Sequence, residues 1–122
     1  MKYIVTGGAG FIGSHIVENL VKKNKKVVVL DNLSTGRIDN IKPFLKKVKF
    51  IKCDISKKGN WLKEFSGNCY IFHLAALADI VPSIQNPEKY FKSNVNGTLN
   101  ILEGCKKAKV KKFLYSASSS CY

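Results

Sequence analysis

Three glycines at a fixed spacing restrict the fold of this chain more than any other feature: Gly7, Gly10 and Gly13 in Thr6-Gly7-Gly8-Ala9-Gly10-Phe11-Ile12-Gly13. The apolar run Tyr3-Ile4-Val5 before them suits a buried parallel strand. Ile12, Ile16, Val17, Leu20 and Val21 after them recur at the spacing of one helix face. Strand, glycine turn and helix in that order make a cradle for a dinucleotide. Gly7 supplies the tight turn, Gly10 lets the backbone approach a pyrophosphate, and Gly13 lets the helix lie close to the strand. The helix N-terminus adds unpaired N–H groups and a partial positive charge. The spacing G-x-x-G-x-x-G is one residue longer than the G-x-G-x-x-G fingerprint, and no Gly-Lys-Ser/Thr ending follows. That argues for a dinucleotide rather than a nucleoside triphosphate. The plain alternative is an ordinary strand-to-helix turn.

The rest of the chain continues the alternation. Val27-Val28-Val29-Leu30 is a continuous apolar run of the kind buried parallel strands show, and Asp31 ends it about 20 positions after the glycine loop. A carboxylate there accepts hydrogen bonds from the adenine-ribose hydroxyls and repels a 2′-phosphate, so NAD is expected rather than NADP, although Arg37 stands nearby in sequence. Asp31 also opens a turn-rich loop with Asn32, Ser34, Thr35 and Gly36. A short helix or irregular crossover through Ile41–Lys46 leads to a third strand, Val48–Ile51. Asp54-Ile55 follow at its end, as an adenine contact or as a cap or turn. Trp61–Phe65 reads as a short helix and Tyr70-Ile71-Phe72 as a fourth strand, followed by His73-Leu74-Ala75-Ala76. His73 is read as a packed histidine rather than a catalyst. Pro82, Asn86 and Pro87 lead into the longest helix, with Asn86 able to cap it and Pro87 in its first turn. Its face carries Tyr90, Phe91, Val95, Leu99, Leu102 and Cys105 through about Lys107. Asn94 interrupts this face and needs a partner if buried, such as backbone near the cofactor. Lys112–Tyr115 is the fifth strand and runs into the serine-rich end Ser116–Tyr122. The expected fold is α/β: a doubly wound parallel Rossmann sheet in the order 3-2-1-4-5, forming one domain over residues 1–122.

Composition sets limits on function. A chain of 122 residues with 45% hydrophobic content supports one core and no second domain. The formal charge of +13 admits a nucleic-acid surface, but the lysines fall in short scattered groups, several of them near predicted helix ends, arginine occurs once, and no nucleic-acid-binding signature is present. A lysine-rich surface that attracts an anionic nucleotide is the reading adopted, with no nucleic-acid partner. Cys53, Cys69, Cys105 and Cys121 show neither a C-x-x-C pair nor a zinc-type grouping, so reduced cysteines in or near the core and no metal site are expected. No apolar run of membrane-spanning length or signal peptide is evident, and a cytoplasmic setting is expected.

Six blocks in order resemble the extended short-chain dehydrogenase/reductase family, and within it the NAD-dependent sugar-nucleotide epimerases and dehydratases. They are Thr6–His15, Asp31–Gly36, Asp54-Ile55, His73–Ala76, Asn94–Thr98 and Ser116–Tyr122. The resemblance implies a tightly held NAD that takes a hydride from C4 of a nucleotide-linked hexose and returns it to the other face. It puts Phe11 and Ile12 at the pyrophosphate. It puts Asp31 and Asn32 at the adenine ribose, with Ser34, Thr35 and Gly36 in the same cofactor-binding block, and Asp54 and Ile55 at the adenine. Leu74, Ala75 and Ala76 line the nicotinamide side, with Asn94 nearby and Ser116 also counted with the cofactor. Ser118 aligns with the catalytic Ser or Thr that hydrogen-bonds the sugar O4, with Ser119 and Ser120 as neighbours in register. Dehydratases of the family typically carry Thr-Asp-Glu where this chain has Ser118-Ser119-Ser120, so an epimerase or related oxidoreductase is favoured.

One departure stands out. The family's base is the tyrosine of a Tyr-x-x-x-Lys motif, and none follows the serine loop; Tyr122 aligns with a different, loop tyrosine. The chain is therefore expected to be an N-terminal portion lacking that motif and the substrate domain, inactive alone, unstable or prone to association, and homodimeric when full length. The alternatives are a non-catalytic NAD-binding module, since fold does not fix function, or a dehydratase or reductase of the same family.

Overall fold

The computed structural model describes residues 1–117. The strands are β1 (Lys2–Thr6), β2 (Lys26–Asp31), β3 (Val48–Lys52), β4 (Cys69–His73) and β5 (Lys112–Tyr115). The helices are α1 (Phe11–Lys22), α2 (Ile80–Gln85), α3 (Pro87–Phe91) and α4 (Gly97–Ala108). Every pairing is parallel, and the sheet runs β3-β2-β1-β4-β5, the expected doubly wound order. All strands therefore end at one edge.

Alternation along the strands splits the core into two layers. Val5, Val27 and Val29 face α1 through Val17 and Val21, with Ile41 beside them. Ile4, Val28, Leu30 and Ile71 face the opposite side, where Ile101 of α4 meets Trp61 and Phe65. These strands read as unbroken apolar runs because helices or turns cover both faces of the sheet.

The crossovers are irregular. Residues Ile38–Asn40 and Lys42–Lys47 form 3₁₀ turns, as do Asn60–Glu64 where a short helix is expected. The approach to the long helix holds a helix that the spacing did not suggest: α2 accommodates Pro82 because its first turn needs no N–H from that residue. Asn86 occupies the cap position of α3 but makes no side-chain capping bond. Between α3 and α4, Lys92–Asn96 form a π-helical turn. The apolar row along this stretch is largely exposed: Phe91 at 56%, Val95 at 49%, Leu99 at 50% and Leu102 at 44%. Gly97 and Ile101 are instead the buried positions: Ile101 fills the layer it shares with Trp61 and Phe65, and a Cβ on Gly97 would stand 3.0 Å from Ile55 Cγ1, so that end of α4 lies against Ile55.

Candidate functional site

Strand order reverses between β1 and β4, and at such a point the loops leaving the two strands part and leave a crevice. Gly7 lies on one side with φ +69, a conformation that L side chains rarely adopt. A Cβ on Gly7 would also stand 2.8 Å from the Ala75 N atom, so the glycine turn lies directly against the chain leaving β4. A Cβ on Gly13 would meet the Gly7 carbonyl oxygen at 2.1 Å, which brings α1 down onto the loop. The turn is closed by Gly7 N–H to Leu30 O (2.8 Å) and Gly10 N–H to Gly7 O (3.1 Å). No side chain caps α1, and its first turn carries no acidic residue, so the helix end is open to an anion.

Asp31 is only 8% exposed. Its Oδ2 accepts the Ala9 N–H at 2.9 Å and its Oδ1 accepts the Leu33 N–H at 2.8 Å, tying the end of β2 to the glycine loop. Each carboxylate oxygen retains acceptor capacity beyond one such bond. Asn32 turns its own loop by accepting the Ser34 N–H at 3.0 Å. Asp54 accepts both the Ser56 N–H (3.0 Å) and the Ser56 hydroxyl (2.7 Å), so the turn reading of Asp54 holds whatever else it binds.

One cleft collects most of the residues singled out from sequence. Gly7 and Gly10 line it from the loop, Asp31, Asn32, Ser34, Thr35 and Gly36 from the end of β2, Asp54 and Ile55 from the end of β3, and Leu74, Ala75 and Ala76 from the end of β4. Asn94 and Ser116 line an adjoining cavity with Ala75 and Ala76. Phe11 and Ile12 lie outside both linings and are exposed at the start of α1, while Gly13 is buried beneath the loop. Ser118 lies outside the described residues, as do Ser119, Ser120, Cys121 and Tyr122. The cleft also includes Cys53, Leu77 and Ser93, which no pattern in the sequence marked.

Asn94 finds the backbone partner its position demanded. Its Oδ1 accepts the Leu77 N–H and its Nδ2 donates to the Leu77 carbonyl, both at 2.8 Å. The π turn that presents Asn94 has a known association with functional sites. His73 is a packed histidine, 2% exposed, with its pKa lowered from 6.5 to about 4 by burial. Burial, together with the charges of Asp31 and Asp54, raises the Cys53 thiol from 9.0 to about 11. It is an unreactive wall residue.

Glycine turn, α1 N-terminus and strand-end carboxylate at a topological switch point define a Rossmann domain of the dinucleotide-binding class. The model of the NAD dependent epimerase/dehydratase family matches residues 3–122, and the chain belongs to that family. It is 40% identical over 128 residues to the UDP-glucose 4-epimerase of Haemophilus influenzae, covering 100% of this chain and 38% of the relative. The crystal structure of UDP-glucose 4-epimerase from Thermotoga maritima with UDP-glucose superposes with a TM-score of 0.88 at 38% identity, over 97% of this chain and 38% of that one. The Thermus thermophilus UDP-glucose 4-epimerase in complex with NAD gives a TM-score of 0.81 at 40% identity, over 93% and 36% of the two chains. The chain thus spans little more than a third of the length of these relatives and matches their N-terminal part.

Proposed function

We propose that this chain is the NAD-binding N-terminal portion of a nucleotide-sugar epimerase that works by transient oxidation at sugar C4. The observation that carries the reading is the meeting of the glycine loop, Asp31 and Leu74–Ala76 in one cleft at the sheet's reversal point. The uncapped N-terminus of α1 fits a pyrophosphate, received by the backbone at Phe11, Ile12 and Gly13. Asp31 and Asn32, with the Ser34–Gly36 loop, hold the adenine ribose, and Asp54 and Ile55 hold the adenine. Leu74, Ala75 and Ala76 support the nicotinamide, with Asn94 and Ser116 beside them. NAD, when bound, supplies a hydride acceptor and donor. Ser118 is assigned to the sugar O4, where its hydroxyl steadies the oxygen as charge changes. The absence of a carboxylate at positions 118–120 favours epimerisation over dehydration.

NAD is favoured over NADP because a 2′-phosphate would enter against the Asp31 carboxylate. The exposed row Phe91, Val95, Leu99 and Leu102 supports a homodimer through the long helix, as the resemblance implies. No helix among the described residues is long and apolar enough to cross a membrane, and a cytoplasmic setting is part of the same reading.

Calorimetric titration of the full-length chain with NAD and NADP tests the cofactor. NAD is expected to bind more tightly, and Asp31→Ala to weaken it. Equal affinities, or an unchanged Asp31→Ala variant, would refute the assignment. Turnover is tested by interconversion of UDP-glucose and UDP-galactose, with Ser118→Ala expected to lower kcat by about 10²-fold.

A further inference from the structure

Thr6, His73 and Thr98 form a buried polar chain from the end of β1, across the end of β4, to α4. His73 Nδ1 lies 2.6 Å from Thr6 Oγ1, and Nε2 lies 2.8 Å from Thr98 Oγ1. The protonation of this chain can be worked out from its partners. Thr6 Oγ1 accepts the Ala75 N–H at 3.1 Å and shares the Leu74 N–H, also at 3.1 Å, with the Thr6 carbonyl. A hydroxyl has two acceptor positions and one hydrogen to give. With both acceptor positions engaged, the Thr6 hydrogen must go to His73 Nδ1. That nitrogen is then bare, and Nε2 carries the proton donated to Thr98. A protonated Nδ1 would crowd a third donor onto Thr6 Oγ1 and leave the hydroxyl hydrogen without this acceptor. The ring is 2% exposed, with Tyr115 stacked on it at a centroid distance of 6.0 Å and Phe113 tilted beside it at 5.8 Å.

The same chain governs the backbone that follows β4. Thr6 holds Leu74 and Ala75, and Ala75 presses on Gly7. Asn94, four residues before Thr98, holds Leu77 by both its N–H and its carbonyl. α4 thus accepts the His73 hydrogen bond, and the π turn that leads into α4 fixes the far end of the segment.

We propose that His73 is a positioning residue that, as the neutral Nε2–H tautomer, joins Thr6 to Thr98 and sets the Leu74–Leu77 backbone along the nicotinamide side of the cleft. This rests on the reading of the cleft as an NAD site. The adenosine half is held elsewhere, by Asp31 and Asp54, so the network acts on one half of the ligand.

The test combines tautomer and affinity on the full-length chain. Long-range ¹H–¹⁵N spectra of ¹⁵N-histidine-labelled protein, assigned by loss of the signal in His73→Phe, are expected to show Nε2 protonated and Nδ1 bare at neutral pH. His73→Phe retains the stacking and removes both nitrogens. It is expected to weaken NAD by about tenfold while AMP affinity changes less than about twofold. Thr98→Val, which removes only the Nε2 partner, is expected to give the same split, and Thr6→Ser to retain parental affinity. An Nδ1–H tautomer or a cationic ring overturns the proposal. So do equal losses of NAD and AMP affinity in Thr98→Val or His73→Phe, which would mark a purely structural role. Failure of the parent chain to bind NAD defeats the cofactor reading itself, whatever the tautomer. If His73→Phe does not fold, Thr98→Val and the parent spectrum still decide.

Discussion

Replacing Gly13 and Gly10 in turn by alanine makes the same chemical change three residues apart, with different expected results. At Gly13 the new Cβ would stand 2.1 Å from the Gly7 carbonyl oxygen and 2.9 Å from the Gly8 Cα. Both obstacles are backbone, and the turn is fixed by the Gly7 and Gly10 hydrogen bonds, so α1 has to move away. Moving α1 loosens Val17 and Val21 from the layer they share with Val5 and Val29. Overpacking of this kind costs about 1–3 kcal/mol, and alanine's better helix propensity returns up to ~1 kcal/mol. A net loss of about 1–2 kcal/mol lowers Tm by about 4–8 °C in a domain of this size. At Gly10 the nearest atom to the added Cβ is the same carbonyl at 3.2 Å, and φ of −78 with ψ of −179 suits any L residue. Its cost is under about 1 kcal/mol, the preference of a cap position for glycine over alanine. Its effect should instead be on ligand affinity, since the methyl group projects where a pyrophosphate would approach. Differential scanning calorimetry with and without NAD separates the two. A Gly13→Ala protein melting at or above the parent would refute the close-approach argument, and a Gly10→Ala protein with parental NAD affinity would remove the pyrophosphate from this loop.

Three further outcomes are expected. The unfolded His73 ring takes up a proton near pH 6.5 and the folded ring near 4, so between these values the unfolded state binds more protons and stability falls as pH falls. The loss is on the order of 3 kcal/mol across that window, and urea melts at pH 7 and 4.5 should show a smaller drop for His73→Gln than for the parent. Cys53, with its thiol pushed up to about 11, should react with iodoacetamide at pH 8 at least about 10-fold more slowly than a free cysteine; peptide-level mass spectrometry measures this, and an ordinary rate would count against the burial. Asn94→Ala removes both bonds to Leu77 and should speed exchange of the Leu77 amide by about 10-fold or more, read by hydrogen–deuterium exchange.

The sheet was legible because its information is local. Val27–Leu30 declares a strand covered on both faces, Gly7 declares the turn, and right-handed crossovers then leave few orders for five parallel strands. Asp31 was legible for the same reason, since its place at a strand end follows from the run before it. What escaped depends on contacts between distant segments. Nothing around Leu77 or Ser93 marks them as cleft residues, because they are brought together by the bonds between Asn94 of the π turn and the segment after β4. The roles of Thr6 and Thr98 were equally hidden, since a lone threonine carries no pattern until a histidine from another strand meets it. The long helix is a different case. Its row from Phe91 to Leu102 has the period of a buried face, yet periodicity reports only that one side is apolar and not which surface covers it.

The hydrogen bond between Thr6 and His73 spans 67 positions of sequence. Parallel strands make their rewards at such distances and incur the loop-closure entropy first, so this architecture assembles slowly compared with helical folds of similar size. The walls of the cleft come from the ends of β1, β2, β3 and β4, so the cleft is complete only once those strands have paired. A ligand that binds the completed cleft draws the population toward the finished sheet by mass action. The ligand would serve the protein as a late check on folding as well as a reagent.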